Sequence, residues 1–254
     1  MTAVGRNRLK TSNTKGGIRR GGTFLRRLSR FLAVLAGALW GLVFYYSPAL
    51  AVGKVEVSGA RALNTSSIKT SLALEGKGLL DLDVGHIERE LIKEPRVKSV
   101  EVRRWLPGTV YINIKEREEA ALWVAENEVF VVDPEGVVLD RSGVISDLPI
   151  IIDKSGSVPV AGDTVESEMV LLARRLTDIF PEKFGAGIRE LEYREDVGLS
   201  VLTLKGWRVA FGRSDNLAFK LDSLEAMGPE IARACPAGSY VDLRFGYNPF
   251  FKCV

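Results

Sequence analysis

Histidine is the side chain that most often moves protons near neutral pH, and this chain has one, His86. A Ser-His-Asp hydrolase needs a serine and an acid arranged around its histidine, and no such set is recognisable in the sequence. A zinc site built from several histidines is excluded by the same count. His86 follows Asp83 in a pattern typical of a helix, so we interpret it as a surface or half-buried helix residue.

The other chemical groups give little support for catalysis. Asp and Glu number 32, so a hydrolase that uses only carboxylates stays open. Gly76-Lys77-Gly78 lacks the spacing of a phosphate-binding loop and is interpreted as a loop that ends a helix. We therefore expect no enzyme activity, no cofactor, no metal and no small-molecule substrate.

Two cysteines, Cys235 and Cys253, stand 18 positions apart. In an oxidising compartment they can pair, and loop entropy would then contribute roughly 3 kcal/mol of stability. The sequence alone does not bring their Cα atoms within the about 7 Å that a disulfide requires. A disulfide and two separate thiols are therefore both open. No base is evident near Cys253, so a catalytic cysteine is not expected.

Aromatic side chains cluster near the end of the sequence, a composition suited to protein interfaces. The segment 240–245, with the residues after it, is predicted to form a terminal strand of a sheet. The edge of such a strand can expose unpaired N–H and C=O groups that accept a partner strand. The alternative is that the aromatic residues only cover the domain's own core. The cluster consists of Phe245, Tyr247, Phe250 and Phe251.

Composition and charge narrow the protein class. The chain has 254 residues, 46% of them hydrophobic and 26% charged, which excludes a mostly disordered protein and a polytopic membrane protein. Nine Lys and Arg fall in residues 1–30, and the first acid is Glu56. The remainder carries 26 basic and 32 acidic residues, so the folded part is acidic. We therefore expect no nucleic-acid partner.

Residues 31–52 contain no charge over 22 positions, enough to span a bilayer. The positive residues before them predict a cytoplasmic N-terminus and export of everything after the span. The tail at 1–30 has two glycine pairs and no hydrophobic periodicity before Phe24, so we expect it to be disordered and to touch anionic lipid. This is a single-pass type II topology. The alternative is a cleaved signal, because Ala49-Leu50-Ala51 fits a signal-peptidase site after Pro48.

Residues 53–123 predict one compact module. Val55 and Val57 alternate with polar residues as in a strand. One helix is predicted after the N-cap candidates Asn64-Thr65-Ser66-Ser67, and a second is predicted after Asp83. Two alternating strands then flank the turn 106–109 and form a hairpin. The resulting β-α-α-β-β order predicts two helices on one face of a three-stranded sheet.

Several short motifs of this module resemble a POTRA domain, a docking module found outside the cytoplasmic membrane. Glu119 stands where proline is common in the family, whereas Trp123 keeps an aromatic residue found a little further on. The matching motifs are Val55-x-Val57-x-Gly59, Pro95-x-Val97-x-x-Val100-x-Val102, Trp105-Leu106-Pro107, Val110-x-Ile112-x-Ile114 and Glu116-Arg117.

Residues 124–254 predict a mostly antiparallel β domain with flanking helices. Asp163 and Glu166 have the spacing of a capping box before an apolar helix face that runs to Pro181. Ser214 is predicted to cap a second helix that carries Leu217, Leu221 and Leu224. The whole chain is thus predicted to be α+β, with a single N-terminal transmembrane helix.

The complete order resembles the FtsQ/DivIB family of bacterial cell division proteins. The motifs that carry this likeness are Asp133-x-x-Gly136, Leu148-Pro149, the 205–212 hairpin, Lys220-Leu221 and Val241-Asp242-Leu243-Arg244-Phe245.

The resemblance implies a non-catalytic divisome scaffold at the division septum, located in the cytoplasmic membrane with its C-terminal domains outside. It implies binding to FtsB and its partner FtsL, and through them an influence on FtsW and FtsI. By position, the FtsB contact would include Phe245, where the family usually has tyrosine, with Tyr247 and Asn248. Two alternatives stay open: a POTRA-containing envelope assembly or secretion component, and a tethered envelope enzyme.

Overall fold

The structure is a computed structural model that describes residues 21–45, 47, 50–143, 147–235, 238–246 and 248–253. Within them the chain forms a long N-terminal helix followed by two α+β domains. Each domain has its own sheet and its own hydrophobic core.

The N-terminal helix, α1 (Gly21–Tyr45), stands apart from both cores. Its stretch Arg26–Tyr45 is the one helix of the described chain that is long and apolar enough to cross a membrane, and none of it is buried inside the protein. The predicted tail therefore differs from the structure at 21–30, which is helical because this segment contains no proline and carries good helix formers such as leucine and arginine. Residues 1–20 lie outside the described residues.

The predicted membrane segment ends too late. Leu50 and Val52 are buried in the first domain, where Leu79 N–H donates to Leu50 C=O and Val52 N–H donates to Lys77 C=O. Residues 50–52 therefore belong to a folded domain rather than to a membrane helix. The candidate cleavage site is described only in part, since Pro48 and Ala49 lie outside the described residues.

The first domain has the predicted β-α-α-β-β order. Asn64 and Asp83 cap the two helices by accepting backbone N–H bonds, as their positions in the sequence indicated. The sheet order is β1-β3-β2, with β1 parallel and β2 antiparallel to β3. The elements are β1 (Lys54–Ser58), α2 (Thr65–Leu72), α3 (Val84–Ile92), β2 (Val97–Trp105) and β3 (Thr109–Glu116).

The second domain is built on a nine-stranded sheet. Its strand order is β12-β11-β10-β9-β8-β7-β4-β5-β6, and five of the eight neighbouring pairs in the described chain are antiparallel. The elements are β4 (Ala121–Ala125), β5 (Glu128–Val132), β6 (Val138–Arg141), β7 (Ile150–Asp153), α4 (Ser167–Phe184), β8 (Ile188–Arg194), β9 (Gly198–Thr203), β10 (Trp207–Gly212), α5 (Leu217–Ala234), β11 (Ser239–Asp242) and β12 (Phe250–Cys253).

One row of directly paired residues crosses this sheet from β5 to β12 and supplies the sheet side of the hydrophobic core. Because paired residues point to the same side, the row places all of its side chains on the face that α4 and α5 cover. The residues, in order, are Phe130, Trp123, Ile151, Leu191, Val201, Val209, Val241 and Phe251.

The predicted boundary between the domains cuts through a strand. Trp123 was assigned to the first module, but it lies in β4 and is buried in the core of the second domain. Its ring packs against Tyr193, with centroids 5.3 Å apart, and its indole N–H donates to Asp153 over 3.1 Å. Pairing with Phe130 on β5 and Ile151 on β7 places Trp123 in the second core, and motif spacing does not reveal that pairing.

The predicted helix caps in this domain are also wrong. The residue before α4 is Glu166, which makes no side-chain cap, while Asp163 accepts the Val160 N–H. Ser214 does not cap α5. Instead its backbone N–H and hydroxyl both donate to Glu168 on α4, over 2.8 and 2.7 Å.

Ion pairs join the two domains next to β6. Arg96 of the first domain donates through Nε and Nη2 to Asp140 on β6, over 2.8 and 2.6 Å. Arg117, in the connection between the domains, bonds the fully buried Asp133 at 2.6 Å and also Glu135 at 2.9 Å. The β5–β6 turn and β6 are therefore held against the first domain.

Candidate functional site

The candidate site is the edge of the large sheet formed by β12. This strand pairs antiparallel with β11, and Val241 faces Phe251 while Asp242 faces Phe250. No strand of the described chain pairs with the other side of β12. Its outward N–H and C=O groups therefore form a row that a partner strand can extend.

Three contacts hold β12 in place. Its backbone pairs with β11, and Phe251 packs against the main core. Cys253 forms a disulfide with Cys235, the residue directly after α5, with a Cα–Cα distance of 5.1 Å. The disulfide thus ties a short strand of four residues covalently to the end of a core helix.

The face of β12 that points away from the core carries Phe250, whose side chain remains 47% exposed. Its ring lies 6.5 Å from that of Tyr240 on β11, and the Lys252 ammonium lies 5.4 Å from the Tyr240 ring centroid. A phenyl ring, a phenol and an ammonium group thus form a mixed surface directly beside the open backbone. Aromatic residues in such a position are the usual anchors of a protein interface.

A buried carboxylate organises the turn next to this surface. Asp242 accepts hydrogen bonds from Arg244 Nη2 at 2.7 Å and from the Tyr240 hydroxyl at 3.1 Å. Burial by itself raises the pKa of Asp242, but the bonds from Arg244 and Tyr240 outweigh it and hold that pKa below its ordinary value. Burial, helped by the Asp242 charge, raises the pKa of Tyr240. At neutral pH the carboxylate is therefore charged and the phenol is a neutral donor.

Arg244 links this carboxylate to the most exposed aromatic residue of the region. Its guanidinium carbon lies 5.1 Å from the centroid of the Phe245 ring, a cation–π arrangement. Phe245 is 63% exposed. The Asn248 N–H donates to the Phe245 carbonyl over 3.0 Å and closes the turn that leads to β12. The Phe245 ring is thereby exposed to solvent next to the Arg244 guanidinium.

The structure divides the predicted contact residues into three groups. Phe245 and Asn248 lie in the turn before β12, and Phe250 lies on its outer face. Phe251 points to the opposite face and is partly buried in the core, because side chains alternate along a strand. Tyr247 lies outside the described residues. For Phe251 the observed contacts match the alternative in which an aromatic residue covers the domain's own core.

Sequence reasoning did not assign Tyr240, Asp242, Arg244 or Lys252 to this site. The strand alternation of 240–243 was visible, and it would have placed Tyr240 and Asp242 on one face. Lys252 joins them only through the cross-strand register, which pairs it with Tyr240. That register has no local signal in the sequence.

The described residues contain no group of three or more His, Cys, Asp or Glu side chains that could hold a metal ion. His86 is an exposed residue of α3, in line with its interpretation as a surface or half-buried helix residue, and its backbone N–H donates to the capping Asp83. It lines a groove of about 560 Å³ between α2 and α3.

Comparison with known proteins follows the same division into two domains. Residues 50–117 match the family model described as "POTRA domain, FtsQ-type", and residues 121–244 match that described as "Cell division protein FtsQ/DivIB, C-terminal". Together the two matches cover about three quarters of the chain.

Similar proteins extend the match over most of the chain. Cell division protein FtsQ of Chloroflexus aurantiacus is 28% identical over 83% of this chain and 77% of its own length. FtsQ of Neisseria gonorrhoeae is 28% identical over 87% of this chain and 89% of its own length, and DivIB of Clostridium acetobutylicum is 25% identical over 78% and 81%. With both domain matches in the same order along one chain, this protein belongs to the FtsQ/DivIB family of cell division proteins.

Proposed function

We propose that this chain is a non-catalytic scaffold of the bacterial divisome that binds the FtsB–FtsL pair by strand addition at β12. The observation that carries the proposal is the open edge of β12, bordered by the exposed rings of Phe245 and Phe250. Family membership supports the role in division, and the chemistry of the edge supports the mode of binding.

In strand addition, the backbone and the side chains make different contributions to binding. The outward N–H and C=O groups of β12 would supply affinity for any extended partner segment. Phe250, Tyr240 and Lys252 would supply specificity, because they stand directly beside that backbone on the uncovered face. Phe245, Tyr247 and Asn248 would extend the contact along the turn.

The arrangement of the chain fits a protein that links components on the outer side of the membrane. Helix α1 would anchor it in the cytoplasmic membrane with the basic N-terminal residues inside, a single-pass type II topology at the septum. Both folded domains would then lie outside, where the FtsB–FtsL pair would connect them to FtsW and FtsI.

The test measures binding of the full chain in nanodiscs to the extracytoplasmic parts of FtsB and FtsL from the same organism. We expect Phe245→Ala and Phe250→Ala each to weaken binding by about 30-fold, which corresponds to about 2 kcal/mol for an interface anchor. The matched control is Leu204→Ala, since Leu204 is 69% exposed in the same domain but lies in the β9–β10 turn. Its affinity should stay within about twofold of wild type.

Hydrogen exchange separates strand addition from other modes of contact. Partner binding should slow exchange of the backbone amides of β12, since a new strand would bond those that face outward. Wild-type binding that neither phenylalanine variant weakens, with unchanged exchange at β12, would move the interface away from this edge. Absence of wild-type binding would overturn the assignment of FtsB and FtsL as partners.

A further inference from the structure

Three large apolar side chains are exposed together at one end of the first domain. Trp105, Leu106 and Leu80 are 66%, 60% and 46% exposed, respectively. Trp105 ends β2, Leu106 follows it in the hairpin turn, and Leu80 lies between α2 and α3. Arg104 joins the two segments, because its Nη1 donates to the Leu80 carbonyl over 3.0 Å. We call Leu80, Trp105 and Leu106 the apolar tip.

The apolar tip lies at the end of the domain where the chain arrives from α1. Lys54, the first residue of β1, pairs with Thr109, and Thr109 pairs with Trp105. Neighbouring strands lie about 4.8 Å apart, so Trp105 is about 10 Å across the sheet from Lys54. The Gly53 N–H also donates to the Gly108 carbonyl in the hairpin turn over 2.9 Å.

This end of the domain must stay close to α1. Only residues 46–49 separate Tyr45 from Leu50, and an extended chain spans at most about 3.5 Å per residue, so the two Cα atoms lie within about 18 Å. A side-chain hydrogen bond also joins α1 to the first domain, since the Tyr45 hydroxyl donates to the Asp81 carboxylate. Asp81 is the neighbour of Leu80 in the chain. If α1 spans the membrane, its C-terminal end and the apolar tip therefore lie at a similar height relative to the bilayer surface.

The composition of the apolar tip suits the boundary between lipid and water. Tryptophan is enriched at that boundary because its ring is apolar and its N–H can reach water or headgroups. Leucine adds apolar area, and the exposed Arg104 can contact lipid phosphates. Asp81 and Asp83 lie on the same segment as Leu80 and offset the positive charge. Contact with lipid should therefore depend more on the apolar side chains of Trp105 and Leu106 than on attraction to anionic headgroups.

From this placement we infer that the apolar tip inserts into the interface of the bilayer that α1 crosses, and so holds the first domain against the membrane surface. The partner is the lipid surface itself. The inference rests on the proposed anchoring by α1, and it assigns the exposed tryptophan at the end of β2 a binding role that the edge strand β12 does not share.

The experiment measures fluorescence quenching of the full chain in phosphatidylcholine vesicles that contain lipids brominated near the carbonyl end of the acyl chain. The chain has four tryptophans: Trp40 in α1, Trp105 at the tip, and Trp123 and Trp207 in the second domain. The Trp40→Phe variant removes the signal of the anchor. We expect it to remain quenched, and the further change Trp105→Phe to remove at least half of that quenching. The matched control is Trp207→Phe in the same background, which should leave the quenching in place.

Each outcome decides between the anchor and the tip. Equal quenching with and without Trp105, in the Trp40→Phe background, would overturn the contact of the tip with lipid. Absence of quenching in the wild type would overturn the anchoring by α1 and the tip together, whereas quenching lost entirely with Trp40 would overturn the tip alone.

Trp105 is exposed, so its replacement leaves the fold intact, and circular dichroism checks this. Vesicles with 30% anionic lipid should give quenching within about twofold of phosphatidylcholine alone.

Discussion

The large sheet has two edge strands, β6 and β12, and the described chain covers one of them and leaves the other open. On the outer side of β6, Val138 N–H donates to Asp163 C=O, and Gly162 N–H donates to Val138 C=O, over 2.9 and 2.8 Å. Arg96 of the POTRA domain also reaches across to Asp140 on this strand. The outer side of β12 has no backbone partner in the described residues.

The difference shows how one large sheet can have a single open edge. An exposed edge strand invites pairing with any extended chain, which is a hazard unless it is wanted. At β6, the segment 160–165 and the POTRA domain cover the outer side of the strand and so prevent such pairing. At β12 it uses a core contact and a disulfide that fasten the strand while leaving its outer side open. Growth of the sheet is thereby restricted to one direction.

The largest expected effect concerns the covered side. Arg117→Met removes the charged partner of Asp133, a fully buried carboxylate in the β5–β6 turn that also accepts the Val137 N–H. An unpaired buried charge costs about 3–4 kcal/mol, so the free energy of unfolding should fall by that amount. Urea unfolding followed by tryptophan fluorescence measures it, since Trp123 and Trp207 both lie in this domain.

The control for this change is Arg194→Met, because Arg194 pairs with Asp196 on the surface, with both side chains largely exposed. Its effect should stay below about 0.5 kcal/mol. A loss under about 1 kcal/mol for Arg117→Met would mean that the turn is held by other contacts.

The open side should respond most to loss of its covalent tie. Replacing both cysteines, Cys235→Ser with Cys253→Ser, should lower the free energy of unfolding by up to about 3 kcal/mol, as loop entropy predicts for a separation of 18 residues. Hydrogen exchange should speed up at the β12 amides and stay unchanged at β6, which serves as the internal control. Equal protection of β12 with and without the disulfide would contradict the view that the bridge fastens this edge.

Asp242 should make the free energy of unfolding depend on pH. Its pKa is lowered in the folded state, so its contribution is complete above the unfolded value of about 3.9 and is lost as the pH falls through the folded value. Asp242→Asn should cost about 2 kcal/mol at pH 7, and this difference from wild type should narrow below about pH 4.

Unfolding at pH 7 and at pH 3 tests this, with Asp196→Asn as the control, since Asp196 is an exposed aspartate in a surface ion pair. A difference between wild type and Asp242→Asn that stays constant over the whole range would argue against a charged Asp242 as the stabilising group.

The smallest effect should come from opening the domain contact at β6. Arg96→Gln removes the ion pair with Asp140, which is nearly half exposed, so a loss of about 1 kcal/mol is expected in the same urea experiment. Arg103→Gln is the matched control, because the Arg103–Glu101 pair lies on the exposed surface of the same domain.

Binding of the partner pair should keep a stoichiometry of one site per chain in Arg96→Gln, since residues 162 and 163 still cover β6. A second site of similar affinity would break the contrast between the two edges.

Local signals were sufficient for the POTRA domain. The alternation of Val110, Ile112 and Ile114 predicted a half-buried strand, and these side chains are indeed buried. The cap at Asp83 is as predicted, and the cap at Asn64 is one of the candidates at 64–67, because each cap depends on residues two or three positions away.

The second domain depends on contacts that are distant in sequence. β4 pairs with both β5 and β7, and β10 pairs in parallel with β11, an order that no turn motif specifies. Ser214 bonds Glu168, 46 residues away, instead of capping its own helix. The candidate site was predicted in part for the same reason. Phe245 and Phe250 stood out by type and position, whereas Lys252 and Asp242 acquire their roles only through pairing between strands.

The strand order also has a mechanical consequence. The chain from helix α1 and the POTRA domain enters the large sheet at β4, an inner strand, whereas a strand added at β12 would lie at the far edge. A pull between the anchored chain and a bound partner would therefore act across the strands and load each junction from β4 to β12 in series. The junction between β11 and β12 is held by a strand of only four residues. The Cys235–Cys253 bond bridges this junction and passes the load to helix α5, so tension from a bound partner would reach the core through a covalent path.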